Sequence, residues 1–313
     1  MTSIVDPNLK LTATEMQTHF PAEAGPPNES SQSIELEKPH LSIRPSSGWA
    51  ALDLRETWQF RDLLFSLAGR DLKLRYKQTA LGVIWVVLQP LMAAGVFSFV
   101  FGKVAQMPSD NVPYFVFSFA GLLGWNLFSN TVTKASGCLV GNQQLISKIF
   151  FPRLVLPLST IPSTMVDFGV AAGMMLLLLF TYHITPHWGL LLMPIWIALL
   201  LALSLGMGLI ASALSVSYRD VQYILPVAMQ ILLYASPIAY SLTEVLKRLT
   251  PRLQIVYMLN PLSGLLEAFR SSLLGTGQLH WPYIAYAAAL SIVVFVLGSF
   301  SFKRMERKFA DVI

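Results

Sequence analysis

The sequence predicts an all-α, polytopic membrane protein with six transmembrane helices, and three observations support this fold class. The 313 residues are 54% hydrophobic and 12% charged, whereas soluble domains carry about 25% charged residues. Six runs approach the roughly 20 mainly apolar residues that a helix needs to cross a hydrocarbon core. Lys and Arg cluster at the ends of these runs. The composition excludes a water-soluble fold and favours lipid headgroups over nucleic acid as the anionic partner.

The chain divides into three predicted parts. Residues 1–50 are polar, acidic and rich in Pro and Ser, so we expect a disordered cytoplasmic extension and not a cleaved signal peptide. Residues 51–79 predict an amphipathic interface helix, and residues 80–313 predict the six-helix membrane domain. The single cysteine, Cys138, excludes an internal disulfide, and the sequence contains no Cys/His cluster that would predict a metal site.

Six candidate transmembrane helices follow from the apolar runs. They are predicted at about Leu81 to Val104, Tyr114 to Val132, Leu158 to Tyr182, Leu190 to Val216, Ile224 to Leu242 and Tyr283 to Phe302. Lys and Arg concentrate before the first run and after the second, fourth and sixth runs, which places both termini in the cytoplasm. The segment 243–282 carries Lys and Arg on the opposite side, but long segments follow this rule poorly.

Two further elements are predicted to be helical without crossing the membrane. Before the first run, apolar residues recur at helical spacing with charged residues between them, which is typical of a helix at the membrane surface. These apolar residues are Phe60, Leu63, Leu64, Leu67 and Leu74. Between the last two runs, the segment from Ile255 to Leu274 is broken by Asn260-Pro261 and by charged residues. We expect two short helices there that dip into the outer leaflet.

The sequence contains no motif for nucleotide binding or catalysis. Its only Gly-Lys pair, Gly102-Lys103, has Phe97 and Val104 where a P-loop needs glycine and a hydroxyl. The metalloprotease pattern HExxH and the nucleophile elbow GxSxG are also absent. We therefore expect no catalytic residue and no bound cofactor.

Asp167 is an acidic residue deep within a predicted span. A carboxylate in hydrocarbon is costly and is therefore a candidate functional residue. Two interpretations stay open, namely a role in transport and a structural ion pair or hydrogen bond inside the bundle.

Two connecting segments on the predicted cytoplasmic side each admit two interpretations. The segment Leu145 to Val155 is more apolar than a free loop. It is either an interfacial helix whose cations reach the headgroups or a docking helix for a cytoplasmic protein. The turn at Tyr218, Arg219 and Asp220 is either a solvated turn with a local ion pair or a mechanical joint between two spans.

Several motifs resemble one known family. The run from Arg75 to Pro90, RYKQTALGVIWVVLQP, resembles the ABC-2 type permeases that export O-antigen, capsular polysaccharide or teichoic acid. The resemblance extends from about Trp58 to the C-terminus and excludes the N-terminal extension. Its other motifs are Val112-Pro-Tyr114, Lys148-Ile-Phe-Phe-Pro-Arg153, Tyr218-Arg-Asp220 and Asn260-Pro-Leu262 with Glu267, Phe269 and Arg270.

The resemblance implies partners and residue roles. Such permeases are homodimers bound to two copies of a separate cytoplasmic ABC ATPase, which holds ATP and Mg. By resemblance, the coupling helix that contacts this ATPase comprises Ser147, Lys148, Phe150, Phe151 and Arg153. The helix from about Trp58 to Arg75 resembles the interface helix. The outer gate is expected at Asn260, Pro261, Glu267 and Arg270.

The implied substrate is an undecaprenyl pyrophosphate-linked glycan that is exported across the bacterial inner membrane. Its anionic head is expected to approach Arg70, Lys73, Arg75 and Lys77. ATP binding to the partner would then open a channel between the subunits. Because sugar rings stack on aromatic faces, the candidates for lining this path are Trp85, Trp125, Tyr234 and Tyr240. Core filling and anchoring at the interface are the more frequent roles of such residues.

Two other functions are alternatives to export. An ion-coupled secondary transporter would be supported by inverted repeats and paired intramembrane charges, and the sequence contains no convincing internal repeat. An intramembrane lipid-glycan transferase would need clustered His, Asp or Glu at one membrane face. His183 and His187 flank an outer loop without a nearby carboxylate, which is more typical of exposed polar residues.

Overall fold

A computed structural model describes residues 54–77, 83–185, 187–277 and 279–312. All regular secondary structure in these ranges is helical, so the predicted all-α class is confirmed. The predicted disordered extension 1–50 lies outside the described residues.

Twelve helices are found in the described part of the chain. They are α1 (Leu54–Gln59), α2 (Arg61–Lys77), α3 (Val83–Phe97), α4 (Tyr114–Gly141), α5 (Gln143–Lys148), α6 (Val155–Thr181), α7 (Met193–Ser217), α8 (Val221–Ala235), α9 (Leu242–Arg248), α10 (Pro251–Met258), α11 (Pro261–Leu274) and α12 (Trp281–Val312). A π-helical segment, Ser98–Val104, continues α3, and a 3₁₀ turn, Trp188–Leu192, leads into α7.

Five helical stretches are long and apolar enough to cross a membrane. They are Ile84–Val104, Tyr114–Gly141, Val155–Thr181, Trp188–Ser217 and Trp281–Glu306. These stretches match the first, second, third, fourth and sixth predicted spans. The chain is therefore a multi-pass helical membrane protein.

The predicted fifth span is shorter than expected. Helix α8 contains 15 residues, about 22 Å at 1.5 Å per residue, whereas the hydrocarbon core is about 30 Å thick. The helix ends because Ser236 is extended, with φ −107° and ψ 151°. Ser236 precedes Pro237, and a residue before proline is disfavoured in the helical conformation. The predicted continuation of this helix to Leu242 was therefore wrong.

The buried apolar residues form two clusters at opposite ends of the long helices. The first cluster contains Val116 near the start of α4 and Leu178 near the end of α6, together with most of the apolar residues of α11. The second contains Leu139 near the end of α4 and Val155 at the start of α6, together with Leu67 of α2. Successive long helices therefore run in opposite directions between two ends, which we call the α11 end and the α2 end.

Helix α2 packs its predicted apolar face against the bundle. Phe60, Leu63, Leu64 and Leu67 all lie against the second cluster. Leu74 is 52% exposed and falls outside this face. Helix α2 covers most of the segment 51–79, with a break at Phe60 that separates it from α1, and its role as an amphipathic interface helix stays a prediction.

The predicted pair of short helices corresponds to α10 and α11. They meet at Asn260, whose side-chain oxygen accepts a hydrogen bond from the Leu262 backbone N–H at 3.1 Å. This bond caps α11, and Pro261 occupies the first turn, where its missing N–H has no cost. Helix α11 is buried along almost its entire length, between α4, α7 and α12.

Candidate functional site

An ion group centred on Asp167 lies inside the bundle. Arg75 Nη1 of α2 is 2.5 Å and Lys134 Nζ of α4 is 2.9 Å from the same oxygen, Oδ2 of Asp167 on α6. Lys134 also donates to Ser163 Oγ at 3.3 Å. Of the two interpretations of Asp167, the structure shows the ion pairing inside the bundle.

Burial makes this ion group sensitive to changes in charge. The Asp167 side chain is 6% exposed, whereas those of Arg75 and Lys134 are 40% and 27% exposed. A buried carboxylate is tolerated only when it is paired, because its desolvation costs several kcal/mol. The Asp167 carboxylate is therefore paired with cations of two neighbouring helices, α2 and α4.

Lys134 was not predicted from the sequence as a member of this site. The second span was predicted to end at Val132, so that Lys134 belonged to a loop. In the structure α4 continues to Gly141, and the side chain of Lys134 therefore points from a helix towards Asp167. The sequence does contain a signal for this partner. Lys134 follows the predicted end of the span, Val132, by two residues, so a slightly longer helix carries it into the bundle.

Two polar cavities flank the ion group. The larger, about 220 Å³, lies between α2, α4 and α6. Its polar lining residues are Asp71, Arg75, Lys134, Asn142, Ser159, Thr160 and Ser163. The polar lining residues of the smaller cavity, about 70 Å³, are Arg75, Gln89, Asn126, Asn130, Thr164 and Asp167. Arg75 therefore lines both cavities.

The structure places two of the four predicted anion-attracting residues beside the larger cavity. Arg75 lines it, and Arg70 donates to Asn142 Oδ1 at 2.7 Å and pairs with Asp71 at 3.1 Å. Lys73 is exposed on α2. The side chain of Lys77 lies outside the described residues.

The five residues of the predicted coupling helix are divided among different environments. Ser147 and Lys148 belong to α5, which ends at Lys148. Phe150 is 76% exposed, whereas Phe151 is 5% exposed and packs in the second cluster. The helix predicted around 147–153 is thus wrong in its bounds, because the chain leaves the helical conformation before Pro152.

Arg153 is hydrogen-bonded to Glu306 of α12. Its backbone N–H donates to Glu306 Oε1 at 3.1 Å, and its guanidinium donates to the Glu306 backbone oxygen at 2.8 Å. Glu306 also pairs with Lys303 at 3.0 Å. Ser147, Lys148 and Phe150 are the residues of this predicted set that are exposed at the α2 end.

Of the four aromatic residues predicted to line a path, Tyr234 and Tyr240 are in contact, whereas Trp125 is buried in the core. Trp125 is 5% exposed and its ring centre lies 5.7 Å from that of Phe128 inside the first cluster. Trp85 and Tyr234 are 51% and 58% exposed on α3 and α8. Tyr240 donates to the Tyr234 backbone oxygen at 2.8 Å. Trp125 therefore packs in the core, whereas Trp85 and Tyr234 lie on helix surfaces.

The predicted mechanical joint is a short turn between α7 and α8. Tyr218 is 64% exposed, and its backbone N–H still donates to the Leu214 backbone oxygen at 2.7 Å. Asp220 occupies the N-cap position of α8. Within the described chain, none of the ion pairs joins Arg219 to Asp220. The local pair predicted for this turn is therefore not formed.

The predicted outer-gate residues form a polar clamp at the α11 end. Glu267 and Arg270 make an ion pair in which both side chains are about 98% buried, being 3% and 2% exposed. Arg270 also donates to the Pro237 backbone oxygen at 2.8 Å and lies 4.0 Å from the ring centre of Phe117. Asn260 donates to Ser236 Oγ at 3.1 Å. Together these contacts fix the segment that follows α8.

Comparison with known proteins identifies the family. The sequence profile described as ABC-2 type transporter matches residues 62–274, about two thirds of the chain. The chain belongs to the ABC-2 type transporter family. The match extends from α2 to α11, so it includes the Asp167 ion group and both cavities.

Individual relatives of this ABC-2 chain are named as polysaccharide export proteins. The O-antigen export system permease protein RfbA of Myxococcus xanthus is 29% identical over 260 residues, which cover 83% of this chain and 98% of the relative. The protein of the same name from Klebsiella pneumoniae is 29% identical over 256 residues, 80% of this chain and 95% of the relative. The polysialic acid transport protein KpsM of Escherichia coli is 24% identical over 243 residues, 76% and 91% of the two chains.

Proposed function

We propose that this chain is the transmembrane permease subunit of an ATP-driven ABC transporter, which exports a lipid-linked, O-antigen-like polysaccharide across the bacterial inner membrane. The observation that carries this proposal is the similarity to O-antigen export permeases over nearly the whole length of those proteins. The family match supports it over the ion-coupled transporter and the transferase.

The energy for export comes from another polypeptide in this proposal. The sequence lacks a P-loop. Two copies of an ABC ATPase would bind ATP and Mg and would dock on a homodimer of this chain. Ile149 and Phe150, which are 52% and 76% exposed beside Lys148, supply an apolar and basic surface for that contact.

A sixth crossing by α8 completes the proposed topology. Helix α7 finishes at the α2 end, where Leu209 and Ala213 belong to the second cluster, whereas α11 belongs to the first cluster. The chain between these helices must return from one end to the other. Helix α8 spans about 22 Å, and the turn segment 236–241 that follows it lies at the α11 end, where Arg270 donates to the backbone oxygens of Pro237 and Tyr240. Both termini then lie in the cytoplasm with the α2 end.

Substrate access is proposed at the α2 end. Cations of α2 would attract the pyrophosphate of the lipid carrier at the inner membrane surface. These cations are Arg70, Lys73, Arg75 and Lys77. Closure of the ATPases would be transmitted through α5 to the rigid helices and would open a path between the two subunits. The chain itself forms and breaks no covalent bond.

Docking of the ATPase tests this proposal. The double variant Phe150→Ala, Lys148→Glu should reduce co-purification of the cognate ATPase about tenfold or more, because it removes an exposed aromatic anchor and reverses a charge. The matched control is Phe180→Ala at the α11 end, where Phe180 is 80% exposed. This control should bind the ATPase as the wild type does.

Two outcomes of this experiment would count against the proposal. Undiminished binding by the double variant would show that the ATPase docks elsewhere. If the wild-type chain neither binds its cognate ATPase nor changes the rate of ATP hydrolysis, the proposed function itself is wrong.

A further inference from the structure

Two buried oxygen atoms of α11 have no hydrogen-bond partner among the described residues. They are Glu267 Oε1 and Ser271 Oγ, whose residues stand four apart and therefore share one face of the helix. Glu267 and Ser271 are 2% and 7% exposed. An unpaired oxygen in a buried position costs free energy, and the cost is larger when it belongs to a carboxylate. A ligand that contacts both oxygens would therefore be bound favourably.

The turn after α11 and the loop before α4 bring a third oxygen to the same place. Gly275 ends α11 in the left-handed conformation, with φ 70°. A Cβ atom added to Gly277 would lie 2.8 Å from Ser271 Oγ and 3.0 Å from Glu267 Oε1. The same atom would lie 3.9 Å from Asp110 Oδ2. Oxygens from α11 and from the loop before α4 thus converge beside Gly277.

Gly277 leaves the three oxygens uncovered. Its φ of 93° lies in the left-handed region, which glycine adopts readily and residues with a Cβ atom rarely adopt. Gly277 is exposed, and Asp110 is half-buried. Because glycine has no side chain, a ligand can approach the oxygens from the solvent at this position.

The chemistry of the three oxygens favours a cation. Carboxylate oxygens only accept hydrogen bonds, and a serine hydroxyl can also accept. Glu267 pairs with Arg270 through Oε2, whereas none of the ion pairs of the described chain includes Asp110. Hard oxygen ligands of this kind are those that Ca²⁺ prefers, and Ca²⁺ accepts irregular geometry.

We propose that Asp110, Glu267 and Ser271 bind a divalent cation, Ca²⁺, at the α11 end. One oxygen of each side chain would coordinate the ion, and waters entering beside Gly277 would complete a shell of roughly six to eight oxygens. The ion would join the loop before α4 to α11, and through Glu267 to the clamp made by Arg270. The site faces outwards in the proposed topology, but cation binding itself does not depend on the proposed function.

Calcium binding to the full-length permease in nanodiscs tests this proposal. Zwitterionic lipid is used because it has no net charge that would collect the ion. After treatment with a chelator, the wild-type chain should bind one Ca²⁺ with a Kd of about 0.1–1 mM, the range of extracellular calcium modules. Its melting temperature should rise with Ca²⁺, since the ion binds the folded state. Mg²⁺ should bind more weakly, because it demands near-octahedral geometry.

Variants identify the ligands. Asp110→Asn should weaken Ca²⁺ binding about tenfold or more, because a carboxylate becomes a neutral amide. Asn has the same shape and also tolerates the left-handed φ of 52° at this position. Ser271→Ala should weaken binding by a smaller factor. Glu244→Gln, which removes a carboxylate paired with Lys247 on α9, is the matched control and should bind as the wild type does.

The outcomes distinguish this inference from the proposed function. Absence of saturable Ca²⁺ binding, wild-type affinity in Asp110→Asn or an equal loss in Glu244→Gln would overturn the inference. Tighter binding of Mg²⁺ than of Ca²⁺ would overturn the assignment to calcium. Melting temperatures in chelator report whether each variant folds, and Ser271→Ala decides the question if Asp110→Asn does not. If the wild type binds Ca²⁺ through Asp110 but exports no glycan with its ATPase, the proposed function fails while the cation site stands.

Discussion

Arg270 illustrates how single residues hold the α11 end together. Its guanidinium is buried, stacks over Phe117 and donates to the backbone oxygen of Pro237 and to Glu267. A planar guanidinium can make these contacts at once, whereas a lysine ammonium cannot stack in this way. One side chain therefore connects α11, α4 and the segment after α8.

Removal of the partner carboxylate should strongly destabilise this end. Glu267→Ala leaves the Arg270 cation buried and unpaired, and breaking a buried pair in this way typically costs about 3–5 kcal/mol. We expect a clear fall in the melting temperature of the purified permease.

The exposed pair Glu244 and Lys247 on α9 provides the matched control. The hydrogen bond from Lys247 lowers the pKa of the Glu244 carboxyl, but Lys247 is 65% exposed, and an ion pair with a solvent-exposed partner contributes little. Glu244→Ala should leave the melting temperature unchanged. An equal fall in both variants would show that the Glu267 pair has no special role.

At the scale of the elements, the contact between α7 and α12 depends on two glycines. A Cβ atom added to Gly298 would lie 2.3 Å from the backbone oxygen of Gly206, so the two helices approach backbone to backbone. Small residues permit such close packing in membranes, where van der Waals contact between helices is a main source of stability. This contact fixes α12, which lies entirely outside the matched family region.

Alanine substitutions at two glycines test this packing. Gly298→Ala should separate α7 from α12 and lower the melting temperature. Gly169→Ala on α6 has open space around it and should be neutral or slightly stabilising, because alanine favours a helix over glycine by about 0.5–1 kcal/mol. A similar response of the two variants would contradict the close contact.

At the scale of the whole molecule, much of the fold could be predicted because hydrocarbon demands long apolar helices. Five predicted spans correspond to observed helices. The end of α8 at Ser236-Pro237 was missed, because the apolar run continues past a residue whose backbone favours extended structure.

The candidate site was harder to predict than the fold. The charge of Asp167 was a visible signal, but its partners Arg75 and Lys134 are 92 and 33 residues distant in sequence. Such partners depend on which helices pack together, and apolar periodicity does not specify this. For the same reason the sequence could not show that Phe151 and Trp125 are buried or that Arg153 bonds to Glu306.

The α2 end and the α11 end suit different tasks in the proposed exporter. Cations, the ion group and the exposed Phe150 lie at the α2 end, whereas the buried clamp of α11 lies at the other. A lipid-linked anion would therefore be received, and the ATPase contacted, on the same side of the membrane. We therefore expect that movement of the glycan is powered by a partner bound at the α2 end.

Transport in proteoliposomes tests that claim most directly. The permease is reconstituted with and without its cognate ATPase, and the fraction of lipid-linked glycan that becomes accessible to a lectin across the bilayer is measured. We expect movement only when the ATPase and ATP are both present. Movement by the permease alone, driven by a proton or sodium gradient, would contradict the account.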